Sequence, residues 1–175
     1  MECVECGFSY DALSIPDALD ALRGFGKRYK IPLTRGLKDE DLDALLRAHP
    51  LDDTWSALEY ACHARDVFAV QLERLGRALV EPGFTPEPMR RDERVTEMAY
   101  NQQDAATVAD DLATNATAFS VFVENLTPEQ LALTMIYMYP APEERDLAWV
   151  TVHTVHEGEH HLLDIGRVLR AARGR

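Results

Sequence analysis

The stretch LAWVTVHTVHEGEHHLLDIGRVLRAA, residues 147–172, decides the fold of this chain. It contains no proline, and its apolar side chains recur at the spacing of one helix face. We therefore predict a long last helix from about Asp146 to about Arg173. Four of the six histidines of the chain lie in this stretch, so much of the chemistry of the chain is concentrated there.

Three other long helices are predicted from the stretches that precede it. Ser14 followed by Asp17 is typical of a helix start, and Pro32 is expected to end or kink the helix that follows. The loops are mostly too short for the crossovers of a parallel sheet, so the predicted fold class is all-α, a four-helix bundle. The predicted helices run from about Ser14 to Lys30, from Lys38 to Ala48 (a short one), from Thr54 to Val80 and from Asp104 to Asn125.

Proline and glycine mark the irregular segments. EPGFTPEPM, residues 81–89, is predicted to be a loop, and residues 90–100 a short turn. TMIYMY, residues 134–139, has a strand-like composition, but Pro140 and Pro142 close it, so we predict an extended loop there.

The length and charge of the chain disfavour several classes of protein. Its 175 residues suit one bundle domain, predicted at residues 14–175, after a short N-terminal CxxC segment at residues 1–13. With 30 acidic against 18 basic residues the net charge is −12, which argues against nucleic-acid and anionic-membrane partners. No apolar run is long enough to span a membrane, and the N-terminus does not resemble a secretory signal. We therefore expect a cytoplasmic protein whose three cysteines are reduced thiols or metal ligands.

Two interpretations of HEGEH, residues 156–160, compete. As HExxH it matches the zinc-peptidase pattern, in which both histidines bind the metal and the glutamate is a general base. On a helical wheel, however, His156 and His160 lie away from the apolar arc, whereas Glu157 and His161 lie at its edge and inside it. A buried carboxylate without a partner is costly, and a cation beside Glu157 relieves that cost. We therefore favour Glu157 and His161 as the functional pair and interpret the HExxH match as coincidence.

A metal held by this pair needs a third protein ligand. His63, midway along the second long helix, is the candidate, and two histidines with one carboxylate leave a position for water or substrate. His63 alone is better explained as a hydrogen-bonded core histidine; its combination with Glu157 and His161 favours a divalent metal. Zinc is the first candidate, with nickel, iron and manganese as alternatives.

These residues resemble the DinB-like four-helix-bundle superfamily, which includes bacillithiol transferases and mycothiol-dependent maleylpyruvate isomerases. The resemblance covers most of the chain after about residue 14. It rests on W-x2-L-E-Y-x2-H at residues 55–63 and on EGEHHLLDI at residues 157–165. It implies the metal ligands His63, Glu157 and His161, with glutamate at the first position of the second motif as in the isomerases. It also implies that Asp164 is the polar partner of the last histidine.

The resemblance further implies a chemistry. In that family a divalent metal lowers the pKa of a low-molecular-weight thiol, and the thiolate attacks a small-molecule electrophile. The 15 arginines against 3 lysines, a bias that accompanies GC-rich coding, favour mycothiol as the thiol. We therefore predict a thiol S-transferase or isomerase. A homodimer is compatible with this prediction. The alternative is a non-catalytic binding or stress-response protein in which the metal only braces the bundle.

The N-terminal CVECGF, residues 3–8, resembles one knuckle of a zinc ribbon, but the chain has no second knuckle. C-x2-C together with an H-x3-H pair on the last helix is a Cys2His2 ligand set. We therefore predict that the N-terminal segment folds over the last helix and closes a second, structural zinc site from Cys3, Cys6, His156 and His160. An inert N-terminus and a redox-active cysteine pair are the alternatives.

Overall fold

The structure, a computed structural model, describes residues 2–138 and 141–174. None of its helices within those ranges is long and apolar enough to cross a membrane. The elements are α1 (Ile15–Thr34), α2 (Leu42–Arg47), α3 (Ala57–Val80), α4 (Arg91–Glu97), α5 (Ala105–Glu124), α6 (Pro128–Leu131), β1 (Thr134–Tyr137), β2 (Glu143–Asp146) and α7 (Leu147–Ala172), with 3-10 turns at Tyr10–Ala12 and Tyr100–Gln102.

A side-chain cap starts each of the four long helices. The Ser14 hydroxyl accepts the backbone N–H of the third helical residue of α1, and Asp104 and Asp146 do the same for α5 and α7. Ser56 and Glu59 form a reciprocal capping box at the start of α3. These caps satisfy N–H groups that a helix leaves unpaired at its first turn, and so they define where each helix begins.

The four long helices form the bundle that the sequence predicts. α1 packs against α5 and α7, and α3 packs against the same two helices, so α1 and α3 occupy opposite corners. The segment between them, which contains α2, makes this diagonal connection, and α2 contacts α1, α3 and α7. The core between the helices contains large aromatic side chains with no exposed surface, among them Phe25, Tyr29, Phe68, Tyr100 and Phe119.

Helix α1 continues four residues beyond its predicted end at Lys30. Pro32 lies inside the helix, in its last turn, where it lacks an N–H for the backbone ladder and its ring crowds the carbonyl of Arg28. The N–H of Arg35 still donates to the carbonyl of Ile31, and Leu33 is buried in the core. Burial of the last turn therefore outweighs the cost of the proline.

Three other predictions, two of helices and one of a turn, need smaller corrections. α3 begins at Ala57 rather than Thr54, because the capping box at Ser56 ends the preceding loop. α2 begins at Leu42 rather than Lys38, since Asp41 caps it by accepting the N–H of Ala44. Within residues 90–100, predicted to be a turn, the chain forms the seven-residue α4.

The predicted extended loop at residues 134–139 is wrong for its first four residues, which form β1. β1 pairs antiparallel with β2, and Thr134 stands opposite Asp146. Alternate side chains of the strand, Met135 and Tyr137, are buried against the bundle, while the last residue of β2 caps α7. Tyr139 and Pro140 lie outside the described residues. The hairpin thus leads without a loop into α7, which begins at the residue after β2.

Helix α1 approaches α7 closely at Gly158. A methyl group at this position would lie 2.5 Å from Cζ of Phe25, whose ring is fully buried. One turn later along α1, the hydroxyl of Tyr29 donates to the carbonyl of Gly158 at 2.6 Å. A residue without a side chain is therefore required where the two helices cross beside Glu157.

We expect Gly158→Ala to lower the free energy of unfolding by about 1–3 kcal/mol, because the added methyl overlaps a ring that has no room to move. Gly76→Ala is the matched control, since a methyl group there meets no atom within 4 Å; it should stabilise α3 by about 0.5–1 kcal/mol. Chemical denaturation measures both. Adding Phe25→Leu to Gly158→Ala should recover part of the loss, and equal effects of the two alanine variants would contradict the close approach.

Candidate metal centre

The structure brings together the three side chains predicted as the interior ligand set. His63 projects from α3, and Glu157 and His161 project from α7 one turn apart. One donor atom from each lies within 4.8 Å of the others. Nε2 of His161 is 3.6 Å from Oε2 of Glu157, and the rings of His63 and His161 meet edge to face with centroids 4.8 Å apart. Two histidines and one carboxylate at these distances are a ligand set that could hold a divalent metal.

Asp164 contacts the ring nitrogen of His161 that points away from Glu157. Oδ2 of Asp164 lies 3.1 Å from Nδ1 of His161, and Arg167 donates to the other carboxylate oxygen at 3.1 Å. An Nδ1–H donated to this carboxylate leaves the lone pair on Nε2, which faces Glu157. Metal-binding histidines are commonly oriented by such a carboxylate. Asp164 therefore stands where the resemblance placed a partner of the last histidine.

His63 has the properties of a neutral ligand. Its side chain is only 3% exposed, and Nδ1 has no hydrogen-bond partner within the described part of the chain. Burial, reinforced by the charge of His161, lowers the pKa of His63 to about 3. The imidazole is therefore uncharged at neutral pH, the state in which histidine binds metals. A buried nitrogen without a partner and a neutral ring both fit a metal ligand.

Glu157 and His161 hold opposite charges when no metal is bound. Burial by itself raises the pKa of Glu157, but contacts with His156 and His161 outweigh it and hold that pKa well below the usual range. Burial likewise lowers the pKa of His161, yet the carboxylates of Asp164 and Glu157 raise it to about 9. The proton on His161 thus compensates the carboxylate, and a bound cation would take over that role.

The second predicted ligand set also comes together. Cys3, Cys6, His156 and His160 each offer a donor atom, and the four atoms lie within 4.8 Å of one another. Burial raises the pKa of Cys3, but backbone N–H groups and His156 lower it to about 6. His156 faces away from the bundle interior as the wheel predicts, yet it is only 8% exposed because the N-terminal segment lies over it. The two ligand sets therefore occupy adjacent faces of α7.

His153, which was not among the predicted site residues, also lies beside Glu157. Its ring is buried, Nδ1 is 2.8 Å from the hydroxyl of Tyr10, and Nε2 is 3.4 Å from Oε1 of Glu157. The signal that could have found it is its position four residues before Glu157, which places both side chains on one helix face. Its contact with Tyr10 joins residues 143 positions apart and has no such signal.

A second buried polar pair beside His153 was missed as well. The amide of Gln71 donates to the hydroxyl of Tyr137 at 2.7 Å, and the ring of Tyr137 meets that of His153 edge to face at 4.9 Å. Gln71 lies two turns beyond His63 along α3, so the same face of α3 carries both.

Comparisons with known proteins agree with this fold. The family model for the DinB superfamily matches residues 32–165. Among solved structures, YfiT from Bacillus subtilis superposes with a TM-score of 0.75 over 90% of this chain and 90% of that chain, at 14% sequence identity. YfiT is described as a probable metal-dependent hydrolase with an unusual four-helix bundle topology. None of the curated proteins compared with the chain matches it. At this identity the likeness to YfiT shows the fold alone.

The raised pKa of His161 predicts a pH dependence for the metal-free protein. A histidine whose pKa is about 9 when folded and about 6.5 when unfolded stabilises the fold fully below pH 6.5 and loses that effect as the pH rises to 9. The free energy of unfolding of the native chain minus that of His161→Gln should therefore fall by up to about 3 kcal/mol as the pH rises from 6.5 to 9. Denaturant titrations in the presence of a chelator measure it.

The difference between the two chains isolates His161. Cys3 titrates in the opposite direction over the same pH range, but it is present in both chains and its contribution cancels. His49→Gln is the matched control, because His49 lies outside both ligand sets. A difference between the native chain and His161→Gln that stays constant from pH 6.5 to 9 would show that His161 does not carry the compensating charge.

Proposed function

The chain belongs to the DinB superfamily, and on that premise we propose that it is a metal-dependent enzyme that uses a low-molecular-weight thiol as an S-transferase or isomerase. The observation that carries the proposal is the set of His63, Glu157 and His161, with Asp164 orienting the last histidine. Three protein ligands leave a coordination position for a substrate, as catalytic sites require.

The charges of the ligand set suit thiol chemistry. Two neutral histidines and one carboxylate leave a divalent metal with a net charge of about +1. A metal of that charge, when bound, would lower the pKa of a thiol that reaches it and favour the thiolate at neutral pH. In the conjugation we propose, the thiolate sulfur forms a bond to carbon of the electrophile while the bond from that carbon to its halogen or epoxide oxygen breaks. The halide leaves, or the alkoxide freed from the epoxide takes up a proton from water.

The residues around the set have supporting roles in this proposal. Asp164 keeps the Nδ1 proton on His161, so that Nε2 keeps the lone pair with which it would bind a metal. Tyr60 stacks on the ring of His161 with centroids 5.5 Å apart, and Trp55 meets the ring of His63 edge to face at 5.1 Å. These two aromatic side chains hold the imidazoles in place and shield them from water.

Two other functions are tested by the same experiment. The description of YfiT makes hydrolysis a candidate, because a metal with an open position can activate water as well as a thiol. A metal that only braces the bundle is the second, and the four-donor set of Cys3, Cys6, His156 and His160 favours it because such a set has no open position.

The metal-loaded protein should accelerate conjugation of a thiol with a haloarene or an epoxide, with mycothiol first among mycothiol, bacillithiol, glutathione and cysteine. The rate should require the metal and should collapse in His63→Ala and Glu157→Ala, because each removes a ligand. His49→Ala, a histidine variant outside the ligand sets, should retain it. Conjugation with none of the four thiols in a protein that holds metal would favour the bracing role, and turnover of ester or amide substrates instead would favour hydrolysis.

Asp164→Asn tests how the ligand is oriented. The amide keeps the shape of the side chain but removes the charge that holds the proton on Nδ1 of His161. We expect metal affinity to fall by about 10- to 100-fold, as is usual when the hydrogen-bond partner of a ligating histidine is replaced. Competition with a chromophoric chelator measures this. Asp110→Asn, at an exposed carboxylate paired with Lys30, is the control, and equal affinities in the two variants would contradict the role of Asp164.

A further inference from the structure

The N-terminal segment folds into a short hairpin that presents both of its cysteines on one side. The N–H of Cys3 donates to the carbonyl of Phe8 at 2.9 Å, and the N–H of Gly7 donates to the carbonyl of Cys3 at 2.8 Å. Gly7 has a φ of +73°, a left-handed conformation that glycine adopts without a steric penalty. The sequence C-x2-C-G therefore makes a tight turn with the two thiols gathered inside it.

The helix beneath the hairpin presents two imidazoles to these thiols. His156 and His160 lie one turn apart on α7 with ring centroids 5.3 Å apart, and Nδ1 of His160 is 3.9 Å from Sγ of Cys3. His156 is buried, yet neither of its ring nitrogens has a hydrogen-bond partner among the described residues. Nδ1 has only the ion-pair contact with Oε1 of Glu157 at 3.5 Å. Burying an imidazole whose nitrogens make no hydrogen bond is unfavourable unless something binds it.

We propose that Cys3, Cys6, His156 and His160 bind a zinc ion as a closed structural site, separate from the interior ligand set. Cys2His2 is a common ligand set of structural zinc, and four protein ligands leave no open position. Ligands with bonds of about 2.0–2.3 Å to a tetrahedral ion stand roughly 3.3–3.8 Å apart. The four donor atoms already lie within 4.8 Å of one another, so small side-chain rotations complete the site.

The carboxylates next to His160 fit this assignment. Nε2 of His160 is 3.3 Å from Oε2 of Glu5 and 3.6 Å from Oδ2 of Asp164. Two carboxylates facing Nε2 favour the tautomer with the proton on that nitrogen, which leaves the lone pair on Nδ1, the nitrogen that faces Cys3. The partner of a ligating histidine usually selects the tautomer in this way.

The zinc would fasten the hairpin to α7. The rings of Phe8 and Tyr10 pack on His156 with centroids 5.3 Å away in each case, and Arg167 donates to the carbonyl of Glu5 at 3.0 Å. These contacts cover His156 but leave Val4 at the tip of the turn 98% exposed. A hairpin this short has little core of its own, and metal binding supplies the free energy that holds it in place.

The test uses cobalt, because thiolate ligands give cobalt a sulfur-to-metal charge-transfer band that histidine and carboxylate ligands cannot give. The full chain loaded with Co²⁺ should show this band, and Cys3→Ser combined with Cys6→Ser should abolish it. Metal analysis of the zinc-loaded proteins should show the double variant short of one zinc per chain. Cys62→Ala, which removes a thiol buried in α3, is the matched control and should keep both the band and the zinc.

Two further measurements separate this site from the interior one. His63→Ala removes an interior ligand and should leave the sulfur band unchanged, so failure of the proposed enzyme function does not affect this result. Chelation should lower the melting temperature of His63→Ala but not that of a chain that also carries the two serine substitutions. A native chain without the sulfur band, or a double variant with unchanged zinc, would overturn the proposal, as would loss of the band in His63→Ala.

Discussion

A carboxylate in the middle of a long helix is the constraint around which this molecule is arranged. Glu157 lies in α7 with imidazole nitrogens of His153, His156 and His161 at 3.4, 3.5 and 3.6 Å. A largely buried negative charge is tolerated only with such partners. The helix itself supplies all three of these partners, and α3 brings a donor atom of the neutral His63 within 4.8 Å of Glu157 and His161. The N-terminal hairpin that covers α7 is part of the same arrangement, because His156 contacts both Glu157 and the hairpin.

The two ligand sets follow from the geometry of one helix. His156 with His160 and Glu157 with His161 are both pairs at a spacing of four residues, offset by one residue. An offset of one residue rotates a side chain by about 100° around the helix. The same six-residue stretch therefore serves a nitrogen-and-sulfur set on one face and a nitrogen-and-oxygen set on the next. Asp164 lies below both, within 3.6 Å of His160 and 3.1 Å of His161.

The wheel predicted the inward position of Glu157 and His161 because the apolar arc of α7 is broad and regular. The four-helix bundle was predictable for the same reason, together with the polar caps at the helix starts. The strand β1 was not, because its partner β2 is charged and exposed and has no strand-like pattern; the pairing is a tertiary effect. The contact of His153 with Tyr10 and the burial of His156 under Phe8 and Tyr10 could not be predicted. Tyr10 and Phe8 are distant from α7 in sequence and contribute nothing to its helical periodicity.

The close packing of α1 has a consequence for how the chain tolerates change in length. At Phe25 a ring covers Gly158 of α7, and at the next residue Gly26 leaves room for Ala113 of α5, to which an added methyl would come within 2.9 Å. A shift of α1 by one residue along its axis would bring a glycine, Gly24 or Gly26, against Gly158 and a side chain, Phe25 or Lys27, against Ala113. One contact would lose its ring and the other would clash, so α1 is fixed in register with two neighbours at once. Insertions or deletions in the exposed residues 35–39 would then alter the diagonal connection but not the register of α1. The length of the loop at that end of the bundle can therefore change without moving the contact between α1 and α7 beside Glu157.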